Sequence, residues 1–263
     1  MKYILGDREI ELYSKRPKNT CAFSIQCAGK GTRSGCMIAS HFQMDEAIIA
    51  ILKQVRPKLK SLMRTRIYYS DSDMILQFKT HILSIIEAHS GAIYHSIDSN
   101  LAPLDKVLTI FLDHIGMSTE QAFLEHNLLP LRLRRDIAIL GFIHKANLRE
   151  CHPEISAFFG VGICPVLPSS IYPSRHTFQL KIFSDFVRGM APLYSRSILN
   201  MGNLYNLLPQ AFVECKTVHL FQSKLTSVSR VKCITKVPNW QTWLSARTYT
   251  LQNMLNNTYF RLR

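Results

Sequence analysis

Asp71 and Asp73 lie in Tyr68-Tyr69-Ser70-Asp71-Ser72-Asp73-Met74, where tyrosines precede two closely spaced carboxylates. Several polymerases present their metal-binding carboxylates in such a stretch, because two-metal phosphoryl transfer needs acidic oxygens converging on ions roughly 3.5 to 4 Å apart. Adjacent aspartates in a tight hairpin meet that demand. Here the two are separated by a serine, no Asp-Asp pair occurs anywhere in the chain, and a periodic apolar pattern starts at once. Ser70, Asp71 and Ser72 are the residue types that accept hydrogen bonds from the open amides of a first helical turn, where negative charge also suits the helix dipole. The stretch therefore reads as the beginning of a helix rather than a metal centre.

Other catalytic patterns are missing from the sequence. There is no GxxxxGK[ST] phosphate loop, no GxSxG elbow and no HExxH pair. His81, His89, His95, His114, His126 and His144 are dispersed among apolar helical stretches, and a packed or surface role suits them better than ligation or base catalysis, which needs partners at short range. Cys21, Cys27, Cys36 and His41 form the tightest Cys/His group, but their gaps of five, eight and four residues do not match the two-residue knuckles of zinc sites. No catalytic residue, metal ligand or cofactor is assigned.

Basic residues carry the remaining chemistry. Lys53, Arg56, Lys58, Lys60, Arg64 and Arg66 form the densest cationic stretch. On a helix Lys53, Arg56, Lys60 and Arg64 recur at steps of three, four and four beside an apolar stripe, a ladder of charge roughly 16 Å long at 1.5 Å per residue. That length follows several phosphates of a nucleic-acid backbone. A second cluster, Arg132, Arg134 and Arg135, falls on the first turn of another helix, where cations oppose the dipole and need some other partner. Phosphate contact and a solvated face with local pairs, such as Arg132 with Asp136, both fit each cluster.

The elements that must position these residues are helical. Ile48, Leu52, Val55, Leu59 and Leu62 make one stripe over Met44 to Ile67, with a kink or break expected at Pro57. Ile75, Phe78, Ile82 and Ile86 mark Asp73 to His89, and Leu104, Leu108 and Phe111 mark Leu101 to Ile115. Ser118 with Gln121 has the form of a capping box. Pro130 opens a helix whose stripe is Leu133, Ile137, Leu140 and His144, with Gly141 permitting close helix contact. Later helices are expected over Phe178 to Phe186, Ile198 to Phe212 and Val218 to Val231. Lys2 to Tyr13 suits a short hairpin around Gly6-Asp7. The expected architecture is all-α, an irregular helical bundle in two lobes: a divergent loop segment at 1–33, a helical domain at 34–159, a proline-rich linker at 160–176 and a C-terminal helical region at 177–263.

The bulk numbers agree with a globular chain that has a polyanionic partner. The 263 residues carry 32 Lys+Arg against 18 Asp+Glu, a formal charge of +14. Seven scattered cysteines, the early charges after Met1 and the lack of an apolar run of roughly 20 residues predict an intracellular protein, nuclear or cytoplasmic, neither secreted nor membrane-spanning.

Longer stretches carry a family resemblance. Arg56-Pro57-Lys58 with Arg64-Thr65-Arg66, Gln77-Phe78-Lys79-Thr80-His81, Ala122-Phe123-Leu124-Glu125, Leu133-Arg134-Arg135-Asp136-Ile137-Ala138 with Leu140-Gly141, and Tyr205-Asn206-Leu207-Leu208-Pro209-Gln210 followed by Phe221-Gln222-Ser223-Lys224-Leu225 are the most telling pieces. Over about residues 34–235 the chain resembles the segment after the polymerase palm in non-LTR (LINE-type, jockey-like) retrotransposon reverse transcriptases, as found in algal and dinoflagellate genomes. The resemblance implies a thumb and C-terminal helical region that grips template and primer, RNA or DNA, beside the palm. The family's paired aspartates, palm and fingers would lie upstream of residue 34, and with them the magnesium that the parent polymerases use. No activity is expected of this chain alone, and nucleic-acid binding is expected to be without sequence preference, through Lys53, Arg56, Lys60, Arg64, Arg132, Arg134 and Arg135. The alternative is a non-enzymatic helical interaction module, or a decayed remnant without function.

Overall fold

The chain is all-α in a computed structural model that describes residues 2–5, 8–11, 44–159, 178–180 and 191–247. The only strands among the described residues, β1 (Lys2–Leu5) and β2 (Arg8–Glu11), pair antiparallel at the position expected for the hairpin. The rest of the 1–33 segment, the linker expected at 160–176, most of the Phe178 to Phe186 helix and the cysteine group with His41 lie outside the described residues.

Two compact units divide between Met117 and Ser118. The proline-rich composition placed the division later, at 160–176. Packing explains the difference, because the helices just after Met117 bury their faces against helices near the C-terminus.

In the first unit α1 (Asp45–Arg64) runs through Pro57 as one helix, so of the kink or break expected there the break does not occur. Pro57 lies on the exposed side, where water can satisfy the carbonyl that its missing N–H leaves open. The Ile48, Leu52, Val55 and Leu59 stripe is buried against α5 (Asp98–Ile115) and the helical run that follows. That run is α2 (Asp71–Phe78), a π-helical turn (Lys79–Leu83) and α3 (Ser84–Ala88), succeeded by the short α4 (Ser90–Ile93). Phe78 and Phe111 stack with ring centroids 4.4 Å apart in the core. Gly116, in the left-handed region at φ 74°, stops α5 without the Cβ penalty another residue would meet.

Ser70 caps α2 as its residue type requires. Its Oγ accepts from the Asp73 amide at 3.2 Å and donates to Asp73 Oδ2 at 2.6 Å, while Asp71 forms an ion pair with Arg66. Both aspartates are thereby committed to the helix start, on separate partners rather than one shared centre.

In the second unit α6 (Thr119–His126) and α7 (Leu131–Asn147) pack with α10 (Ile198–Asn206) and α12 (Val218–Ile234). Shorter pieces complete it: α8 (Pro153–Phe158), α9 (Ala191–Ser195), α11 (Gln210–Val213) and a 3-10 turn at Trp240–Thr242. The helix expected over Ile198 to Phe212 is split at Leu207–Pro209, as proline's lack of a donor dictates. Ser118 caps α6 by accepting from the Gln121 amide at 3.1 Å, but Gln121 donates onward to Glu125, so only half of the capping box forms. Phe178 to Leu180 is not helical; the Asn206 carboxamide accepts from the Leu180 amide at 2.8 Å and donates to its carbonyl at 2.9 Å.

At Gly141 the helix α7 is approached closely by Gln222 of α12: a Cβ there would lie 2.2 Å from Gln222 Nε2 and 3.0 Å from its Cγ. Gln222 is half-buried and can swing its tip outward. Gly141→Ala, which also gains about 1 kcal/mol of helix propensity, is therefore expected to stay near the wild-type urea midpoint. Gly141→Leu is expected to overpack the crossing and cost about 1–3 kcal/mol. A leucine variant as resistant to urea as the wild type would remove the close approach.

Candidate nucleic-acid interface

The ladder read from the sequence forms on α1. Lys53, Arg56, Lys60 and Arg64 are all exposed, on the side of the helix away from its buried stripe. No acidic residue occurs between Glu46 and Asp71, and none of the four has an ion-pair partner among the described residues. Asp45 and Glu46 in the first turn and Arg64 in the last complement the helix dipole, which accounts for those end positions but not for Lys53, Arg56 and Lys60.

The second cluster is different in kind. Arg135 is only 4% exposed, and Asp136 beside it is buried too; both hold partners inside the protein. Arg135 is therefore withdrawn from the interface, since a phosphate cannot reach it without unpacking α7. The reason is that α7 is buried on nearly every side, with Leu131, Leu133, Ile137, Ile139, Leu140 and Ile143 all in the core. Arg132 is half-buried and donates from Nη2 to Ser245 Oγ at 3.2 Å, and Arg134 is half-buried and also engaged. This Ser245 contact supplies the partner that a cation on a first helical turn needs.

Two further basic residues of the second unit, Arg230 and Lys232, are likewise tied down. Arg230 lies 5.5 Å from the Phe123 ring centroid and donates from Nη1 to the Leu124 carbonyl at 3.0 Å. Lys232 sits over Trp243 at 4.9 Å, and burial pushes its pKa down. These cations are buried or bonded, whereas the α1 quartet is exposed and has no partner among the described residues.

The chain matches no known family profile, no curated protein and no solved structure.

One polar centre was not legible as such. His144 lies on the expected apolar stripe, and its ring is buried and stacked on Phe221 at 4.3 Å. Nε2 is 2.9 Å from the Cys215 carbonyl, which can only accept, so that nitrogen carries the proton. Nδ1 then accepts from the Tyr205 hydroxyl at 2.9 Å, and Asn147 Nδ2 donates to the same hydroxyl oxygen at 3.1 Å. Burial holds His144 below its ordinary pKa, against smaller opposing effects of the Cys215 hydrogen bond and Glu150, and pushes Tyr205 up to about 12. A ring closed off by two fixed hydrogen bonds and a stacked phenyl is built to hold α7, α10 and α12 together rather than to turn over a substrate.

Among the described residues there is no group of three or more His, Cys, Asp or Glu side chains placed to hold a metal ion, and no helix is long and apolar enough to cross a membrane.

Proposed function

We propose that the chain is the post-palm helical region of a LINE-type reverse transcriptase and that it binds nucleic-acid backbone, without sequence preference, through the exposed side of α1. The observation that carries the binding reading is the unbroken α1 with Lys53, Arg56, Lys60 and Arg64 exposed along one side and, among the described residues, without carboxylate partners. The sequence stretches quoted above support the family. In this reading α1 supplies grip and position, and the Asp71/Asp73 stretch, spent on capping α2, supplies no metal chemistry.

Electrostatic binding of this kind has a thermodynamic signature. Each phosphate neutralised releases condensed counterions, so the logarithm of affinity falls linearly with the logarithm of salt concentration. The purified chain is expected to bind single-stranded and duplex oligonucleotides of unrelated sequence with similar affinity per phosphate, weakening steeply between about 50 and 200 mM salt. Binding that is absent at low salt, or indifferent to salt, would remove the proposal.

A further inference from the structure

Where α1 ends, the chain turns through a 3-10 turn (Arg66–Tyr68) whose apolar side chains face outward. Ile67 is 81% exposed, Tyr68 77% and Tyr69 41%, so this corner contributes nothing to the core. The turn is nevertheless fixed: Arg66 pairs with Asp71 and donates from Nη1 to the Tyr69 carbonyl at 3.1 Å. Exposed aromatic rings on a held backbone are a surface prepared for contact.

Beside it lies a pocket of about 250 Å³ within the same unit, lined by Lys58, Ser61, Tyr69, Gln77 and His81 over an apolar floor that includes Leu62 and Ile82. Lys58 and Ser61 come from α1, one helical side round from the ladder; Gln77 comes from α2; His81 comes from the π-helical turn. π-turns inside helices are frequent at functional sites, and this one places His81 at the pocket. Among the described residues Lys58, Gln77 and His81 have no hydrogen-bond or ion-pair partner, so their polar groups are open to a ligand.

This combination has one ligand chemistry in common. A flat aromatic face, a carboxamide able to give and take hydrogen bonds at once, and cations alongside suit an unpaired nucleotide: its base stacks on tyrosine, its edge meets the amide and its phosphate meets lysine. The pocket is too small for a duplex and its base-facing groups have no access to stacked, paired bases. We infer that the pocket at the end of α1 receives an unpaired base of a single-stranded nucleic acid whose backbone lies on the Lys53–Arg64 ladder. This rests on the reading of α1 as a backbone-binding helix and adds single-strand preference to it.

The test compares the wild-type chain with Tyr69→Ala, Tyr69→Phe and the Lys53/Arg56/Lys60/Arg64→Gln quartet. Single-stranded oligonucleotides containing 2-aminopurine, and the corresponding duplex, are titrated at one salt concentration. Tyr69→Ala is expected to weaken single-strand binding about tenfold, the effect of losing one base–aromatic stack, and to leave duplex binding unchanged. Tyr69→Phe keeps the ring and is expected to restore both affinity and the quenching of 2-aminopurine fluorescence. The pocket is overturned if Tyr69→Ala affects neither substrate or both equally. If the quartet alone matters, backbone binding stands and the pocket falls; if Tyr69→Ala alone matters, the pocket stands and the ladder falls.

Discussion

Replacing His144 by phenylalanine is expected to lower the stability of the second unit by about 2–4 kcal/mol, the cost of leaving two buried polar groups without their partners. The phenyl ring keeps the shape of the imidazole and its stacking on Phe221, so the loss isolates hydrogen bonding from packing. The bonds lost are the one His144 donates to the Cys215 carbonyl and the one it accepts from the Tyr205 hydroxyl. Protonating the native ring has a related effect. A charged His144 would present a second N–H to the Tyr205 oxygen, which already accepts from Asn147, and the hydroxyl proton would have no acceptor in that bond. Because burial holds the folded pKa below the unfolded value of about 6.5, the unfolded chain takes up this proton first. The stabilisation is thus complete above about pH 6.5 and is lost as pH falls through the folded value, with a slope approaching about 1.4 kcal/mol per pH unit. Urea midpoints at pH 7.5 and 5.5 check this. The His144→Phe variant should start lower and lose less on acidification; a variant that matches the wild type at both pH values would show that the network contributes nothing.

The contrast between α1 and α7 explains what could be read in advance. An amphipathic helix at the edge of a unit writes its role into its periodicity, and the α1 stripe, its exposed cations and the Ser70 cap of α2 were all readable from spacing and residue type. The helix α7 also has charges at regular positions, but it is surrounded on nearly every side, so Arg135 and Asp136 are buried where the same pattern elsewhere would be solvated. Nothing within LRLRRDIAIL distinguishes these situations, because the difference is made by α10 and α12, more than fifty residues away. His144 is the same case. Its neighbours in sequence predict a stripe residue, whereas its partners Tyr205 and Cys215 are brought to it only by the fold. Pro57 does not break the helix for a local reason: on an exposed side the carbonyl it strands is within reach of water, so the burial of α1's other face outweighs the loss. The π-turn at Lys79–Leu83 has no signal in composition at all, yet it is what sets His81 beside Lys58 and Tyr69.

Removing the charge ladder is expected to have the largest effect on binding. Glutamine at Lys53, Arg56, Lys60 and Arg64 preserves length and helix propensity, and these exposed side chains hold no buried contact, so the fold should survive with at most the few tenths of a kcal/mol that Arg64 contributes to the helix dipole. If each cation neutralises one phosphate, the slope of log affinity against log salt should become shallower by about three units, at roughly 0.7 to 0.9 per contact. The same arithmetic puts the loss of affinity on the order of a thousandfold near 0.1 M salt, shrinking as salt approaches 1 M. A protein with formal charge +14 attracts nucleic acid wherever its charges lie, so the decisive comparison is a second quartet. Lys106, Lys145, Lys216 and Lys236 are exposed but lie on α5, on α7 and on either flank of α12 rather than on one helix side. Neutralising them removes the same charge without removing the ladder. A ladder acts locally, through phosphates held at successive turns, and only its own variant should flatten the salt slope; equal losses in both variants would mean that bulk charge, and not α1, does the binding.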